Sequence, residues 1–204
     1  MLQRTQRCQE QASAKSDAHD ILKWHYSACN PATDPALFGP FQSFMELWIS
    51  RRPGTGALPS RSEFDFFDFQ EWWGRISIAK VERNPLNVRF VLWGTRLTEW
   101  WGVDYTNREV GAQSTTPEVW KQVEWRYFER MCKSPFVGLA YGPLDQHGRE
   151  TINVMGLDLP LVKDGLVRHV LSVHILIGPH DTPETIMPEC PFEPITAQLS
   201  DQGM

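Results

Sequence analysis

The chain lacks the marks of several large protein classes. No stretch reaches the ~18 uninterrupted apolar residues that a membrane-spanning helix needs. Lysine and arginine never form a run: Arg51-Arg52 is an isolated pair, and the net charge is -5. Nucleic acids and anionic membrane surfaces both ask for a basic face, so neither is expected as a partner. The four cysteines, Cys8, Cys29, Cys132 and Cys190, are scattered and form no C-x-x-C. That pattern reads as free thiols in a reducing compartment rather than a disulfide framework. The opening residues MLQRTQRCQEQASAKSDAHD hold no apolar core of a secretory signal, so the expected location is cytoplasmic. G-x-S-x-G, H-E-x-x-H and glycine-rich phosphate loops are missing as well.

Aromatic side chains are abundant: nine tryptophans and eleven phenylalanines in 204 residues. Hydrophobic residues make up 41% and charged residues 22%, a balance that predicts a folded core. Large rings can fill such a core or line a cavity within it. The length suits one domain with tails. Residues 1–36 are polar or mixed and end in NPATDP, a turn-rich breaker, with DAHDILKWHYSAC a candidate short helix. Residues 178–204 carry five prolines and no sustained period. The expected organisation is an N-terminal extension (1–36), a domain (37–177) and a C-terminal tail (178–204).

Within the domain, Phe41, Phe44, Met45 and Trp48 follow helical spacing and form an apolar stripe. This amphipathic helix is expected to start near Pro40 and to end at RRPGTG. LPSRSEFDFFDFQEWWGR follows, with Ser62 or Asp65 as a possible cap. RISIAKVER and VRFVLWGT, joined by the turn NPLN, predict an antiparallel hairpin. Strict alternation puts Val88, Phe90 and Leu92 on one face of the second strand and Arg89, Val91 and Trp93 on the other. Apolar residues on both faces predict cover on both sides. RLTEWWGV reads as a helical turn or two closed by Gly102. TPEVWKQVEWRYFERMCKS is the strongest helix: Thr116 can cap it, Pro117 fits its first position, and Trp120, Val123, Tyr127 and Met131 recur at helical spacing. PFVGLAYGPL, ETINVMGLDLPL and LVRHVLSVHILI are three further strands, separated by the turns DQHGR and VKDG. Two strands, then helices, then three strands predict an α+β fold: an antiparallel sheet with helices gathered on one face.

These pieces together resemble a PAS domain, and more narrowly the stand-alone PAS-like family of alphaproteobacteria. The residues that carry the resemblance are FMELWISRR, the LPSRSEFD box, VRFVLWGT running into RLTEWWG, then NREVG, and LDLPLVKDG ahead of the last strand. The resemblance covers about 37–177. Phe66 follows Asp65 where the family favours proline. The resemblance implies a five-stranded antiparallel sheet of spatial order 2-1-5-4-3, counting the five strands along the chain, with helices over its concave face. It implies sensing or protein interaction rather than catalysis. A helix ahead of the core often crosses a two-fold axis in that family, so the stripe Phe41, Phe44, Met45 and Trp48 is expected to pack on its own sheet or, in a homodimer, on a second copy.

The aromatic set Trp93, Trp101, Trp120, Tyr127 and Tyr141, with Met155, is the expected wall of a small-molecule pocket; a packed core without a cavity is the competing reading. His174 alternates with Val170, Ser172 and Leu176 on the last strand and could ligate a haem, although a satisfied histidine in or beside the core is the favoured reading. His169 and His174 are five apart, so a regular strand points them to opposite faces and denies them a shared metal. His25 and Cys29 could share a helix face, but two ligands do not make a zinc site. Arg61 and Arg96 could bind an anion, or Arg61 could pair with Asp65 or Glu63 inside the fold. Asp65 and Asp68 could act as an acid–base pair, with capping the plainer role. Cys132 reads as packing. No catalytic residue and no metal site is expected.

The leading expectation is a cytoplasmic, non-enzymatic PAS-like sensory or regulatory module. It would bind a small molecule or a protein partner. No output segment follows residue 177, so it would signal in trans. The alternative is an enzyme on a cone-shaped α+β fold of the ketosteroid-isomerase sort. That would need a buried aspartate with tyrosine donors, for which Asp104-Tyr105 is the only adjacent pair. A structural dimerisation domain with a filled core is the third reading.

Overall fold

A computed structural model describes residues 23–195. The protein is α+β. Its strands are β1 (His25–Cys29), β2 (Ile76–Glu82), β3 (Asn87–Trp93), β4 (Val137–Leu144), β5 (Arg149–Lys163), β6 (Leu166–Ile177) and β7 (Glu193–Pro194). They form one antiparallel sheet in the order β3-β2-β6-β5-β4-β1-β7. The five expected strands are β2 to β6, with β2 between β3 and β6. The sheet has seven strands rather than five because β1 and β7 extend it beyond β4. β1 falls where a short helix was expected: Trp24, Tyr26 and Ala28 bury one side of an extended edge against β4. Chain from both expected tails therefore joins the sheet.

The helices are α1 (Gln42–Ser50), α2 (Thr95–Trp101), α3 (Pro117–Lys133) and the short α4 (Pro183–Ile186), with 3₁₀ turns at Pro35–Phe41, Arg61–Glu63 and Phe67–Trp72. Helical elements cover both faces of the sheet, not one. α1 and the 3₁₀ turns pack on the side of Ile76, Ile78, Leu157, Leu159, Leu171 and Val173. α2, the loop after it and α3 pack on the side of Ala79, Val81, Val88, Val154 and Val170. Double cover explains why β5 is buried without a break from residue 154 to 161.

The stripe on α1 is spent within the chain. Phe44, Met45 and Trp48 are fully buried and Phe41 is 1% exposed, so these side chains close the protein's own core and present nothing to a second copy. Trp48 also donates its indole N–H to the Pro160 carbonyl (3.3 Å). Arg51 at the end of α1 pairs with Asp68.

β3 departs from strict alternation. Ile78 is opposite Leu92 and Ala79 is opposite Phe90, so Val91 is an extra, bulged residue. The bulge resets parity. Val88, Phe90 and Trp93 share the α2–α3 side, Leu92 is on the other, and Val91 is left 42% exposed at the sheet edge. Both-sided cover of this strand was expected, but an edge strand with a bulge does not need it.

Candidate functional site

One cross-strand row of side chains organises the α2–α3 face. The register places Trp93 (β3) opposite Ser77 (β2), Ser77 opposite Ser172 (β6), Ser172 opposite Asp158 (β5), and Asp158 opposite Gly138 (β4). Neighbours in such a row are close enough to interact directly. Ser172 Oγ donates to Asp158 Oδ1 (2.5 Å), and the Tyr127 hydroxyl of α3 donates to Asp158 Oδ2 (2.7 Å). Gly138 makes the second bond possible, since a Cβ there would overlap the Tyr127 hydroxyl. Gly156 does the same for His174: a Cβ would lie 2.7 Å from the imidazole Cδ2. Two missing side chains thus seat the tyrosine and the histidine on the sheet.

Above this row is a partly open cavity of about 70 Å³. Trp93, Trp101, Tyr105 and Phe90 form its aromatic wall, and Ser77, Asp158, Ser172, His174 and Glu124 its polar one. The rings brace one another edge to face: Trp93 to Trp101 at 5.3 Å and Trp101 to His174 at 5.5 Å between centroids. Three buried polar atoms on the lining, Ser77 Oγ, Trp93 Nε1 and His174 Nδ1, have no hydrogen-bond partner in the protein. Buried donors and acceptors without partners are costly, and here all three belong to residues that line one cavity.

Burial controls the charge of the site. It raises the Asp158 carboxyl to about 6, against the opposing pull of Ser172 and Tyr127. Burial also raises Glu124 to about 8; the bond it accepts from Tyr26 (2.7 Å) opposes this and the nearby Asp158 charge adds to it. His174 is pushed down to about 4 by burial, partly offset by the Arg75 carbonyl, so at neutral pH the imidazole is uncharged. Tyr127 and Tyr26 are both held far on the phenol side by burial.

Of the expected pocket residues, Trp93, Trp101 and His174 do line the cavity, and Tyr127 reaches it through Asp158. Tyr141 and Met155 do not. They pair with each other across β4 and β5 and face the opposite side, where Tyr141 stacks on His25 at 4.8 Å. The side chain of Trp120 lies outside the described residues. Arg61 donates to the Phe64 carbonyl (2.7 Å), and Arg96 pairs with Glu99 on the exposed face of α2 (3.3 Å). Neither arginine lines the cavity. Asp65 caps the turn after it through the Phe67 and Asp68 N–H groups (2.7 and 3.2 Å), both accepted by Oδ1, while Arg61 bonds the Phe64 carbonyl instead. Thr116 does not cap α3; its hydroxyl donates to Gln146 Oε1 (2.7 Å). Asp104 and Tyr105 part company. Asp104 caps Thr106 in solvent (2.8 Å), while Tyr105 turns into the wall with its hydroxyl 2.9 Å from His147 Nε2.

Sequence reasoning missed Ser77, Ser172, Asp158 and Glu124. For the three strand residues the signal available was polar residues inside otherwise apolar strands, Asp158 between Leu157 and Leu159 above all; Glu124, on α3, carried no such mark. Among the described residues, no group of three or more His, Cys, Asp and Glu could hold a metal ion, and no helix is long and apolar enough to cross a membrane. The cavity is far smaller than a haem, so His174 is not placed to ligate one there. The chain matches no model of a known protein family, no curated protein and no solved structure.

Proposed function

We propose that the protein is a cytoplasmic PAS-like sensory module that holds a small molecule between its sheet and the α2–α3 roof and signals to a protein partner in trans. The observation that carries this reading is that three residues lining one aromatic-walled cavity each hold a buried polar atom without a protein partner. Groups so placed lower their energy by bonding an occupant. The side-by-side order β3-β2-β6-β5-β4 supports the PAS-like part, since it follows the order 2-1-5-4-3 of that family within a wider sheet. A cavity of about 70 Å³ suits an occupant of about three or four non-hydrogen atoms, by comparison with the ~150 Å³ that hold benzene. Aromatic walls would sense the occupant by shifting α2 and α3, which reach the surface. The test is the mass of the natively sprayed full chain, paired with a melting screen against small neutral amides, alcohols and acids. A bound small molecule, or a raised melting temperature that Ser77→Val abolishes, is expected. A clean apo mass with no shift across the screen contradicts the reading.

A second reading is favoured by one observation. Asp158 is a buried carboxylate with a tyrosine donor, as an enzyme on a cone-shaped α+β fold would require. Both of its oxygens already accept a protein hydroxyl, which suits a structural anchor better than a free base. Turnover of any carbonyl compound that Asp158→Asn abolishes, with folding intact, would favour the enzyme over the sensor.

A further inference from the structure

Two cysteines far apart in sequence meet at the sheet edge. Cys29 ends β1 and turns its side chain into the core beneath α1. Cys190 lies just before β7, which pairs with β1 so that Ala28 is opposite Glu193 and Ser27 opposite Pro194. The approach to β7 is fixed by backbone bonds: Cys190 N–H donates to the Met187 carbonyl (3.1 Å) and Phe192 N–H to the Cys190 carbonyl (2.8 Å). Cys190 packs against the cluster that buries Cys29, both thiols are free, and Pro191, the next residue, lines the same groove as Cys29. Cys29 also borders a surface groove of about 410 Å³, shared with Arg130, Phe136 and Pro191, so the buried member of the pair is reached from the surface.

We propose that Cys29 and Cys190 form a peroxide-sensitive dithiol site that closes to a disulfide and fastens the C-terminal segment to β1. The two thiols have unequal roles. The neighbouring Cys29 side chain draws the Cys190 thiol below its usual range, and Cys190 together with burial pushes Cys29 up. Cys190 is also the more exposed of the two. It is therefore the thiolate that attacks. Its sulfur takes one oxygen of hydrogen peroxide, the O–O bond breaks, and the departing hydroxide gains a proton to become water. Cys190 is now a sulfenic acid, oxidised by two electrons. Cys29 then attacks that sulfur, the S–O bond breaks and the S–S bond forms. The oxygen leaves with the Cys29 proton as a second water. One peroxide is reduced to two waters, and two thiols become one disulfide.

The experiment uses the full chain as the C8S/C132S variant, treated with hydrogen peroxide under native conditions. The expected result is a mass loss of two hydrogen atoms, reversed by dithiothreitol, with a Cys29–Cys190 peptide after digestion. Its melting temperature should rise by about 5 °C. Adding Cys190→Ser should slow peroxide oxidation of Cys29 about tenfold or more, because the buried partner is the poorer thiolate. Peptide mapping of the unsubstituted chain repeats the test should that variant fold poorly. Oxygen adducts that stop at Cys190, a link that forms only after unfolding, or native linkage through Cys132 instead would each overturn the proposal.

Discussion

The two faces of the sheet are built from the same strands and have opposite characters. On the α1 side, side chains of alternating strand positions meet Phe38, Phe41, Phe44, Met45 and Trp48, and all five of these are at most 1% exposed. That face is filled. On the α2–α3 side, the intervening positions supply Ser77, Ser172, Asp158 and two glycines, and a cavity remains. A single residue of register separates a packed core from a cavity, since neighbouring positions in a strand face opposite ways. Stability is expected to reside mainly on the filled side and selectivity on the hollow one.

The largest effect that would test this contrast is Trp48→Ala. Removing a fully buried indole from the filled face should cost about 4 kcal/mol. Urea unfolding should show a lower midpoint with an unchanged slope, and ligand-induced shifts should survive in the folded fraction. Next is Gly138→Ala on the hollow face. The new methyl displaces the Tyr127 hydroxyl from Asp158 and leaves a buried carboxylate short of a donor, at a cost of about 2–3 kcal/mol. Tyr127→Phe in the same background should then add little, because the bond is already lost.

A third effect separates the faces by pH. Glu124 holds its proton to about 8 in the fold, against an ordinary carboxyl value of 4.5. The folded state therefore binds more protons than the unfolded chain between those values, and this contribution to stability is lost as pH rises through about 8. Asp158 behaves likewise but has lost its contribution above about 6. His174 and His147, both lowered to about 4, act in the opposite sense and only below their ordinary 6.5. From pH 6.5 to 8 the slope belongs to Glu124 alone among these four. Unfolding free energy should fall by about 2 kcal/mol across that window, and Glu124→Gln should flatten it. The smallest effect is Ser77→Ala. Its oxygen has no protein partner, so the empty fold should change by less than about 1 kcal/mol.

Much of the filled face was legible in the sequence. The stripe on α1 recurs at helical spacing, and β2 to β6 alternate or run apolar between clear turns. What spacing could not decide was the partner of that stripe: a monomer's own sheet and a second copy demand the same residues. β1 escaped notice because its apolar residues are few and also fit a helical turn. β7 is two residues long and has no pattern of its own. On the hollow face, Trp93, Trp101 and His174 were named from the sequence as pocket candidates, but together with Tyr141 and Met155, which do not line the cavity. Their assembly depends on the bulge at Val91 and on strand parity, which also sent Tyr141 and Met155 to the far side. The polar row is a product of register between strands distant in sequence, and no local window contains it.

The most direct test of an occupied hollow face is the electron density of the full chain at high resolution. The account predicts density in the cavity within hydrogen-bonding distance of at least two of Ser77 Oγ, Trp93 Nε1 and His174 Nδ1. An empty cavity, or a collapsed one in which those three atoms bond to protein instead, would contradict it.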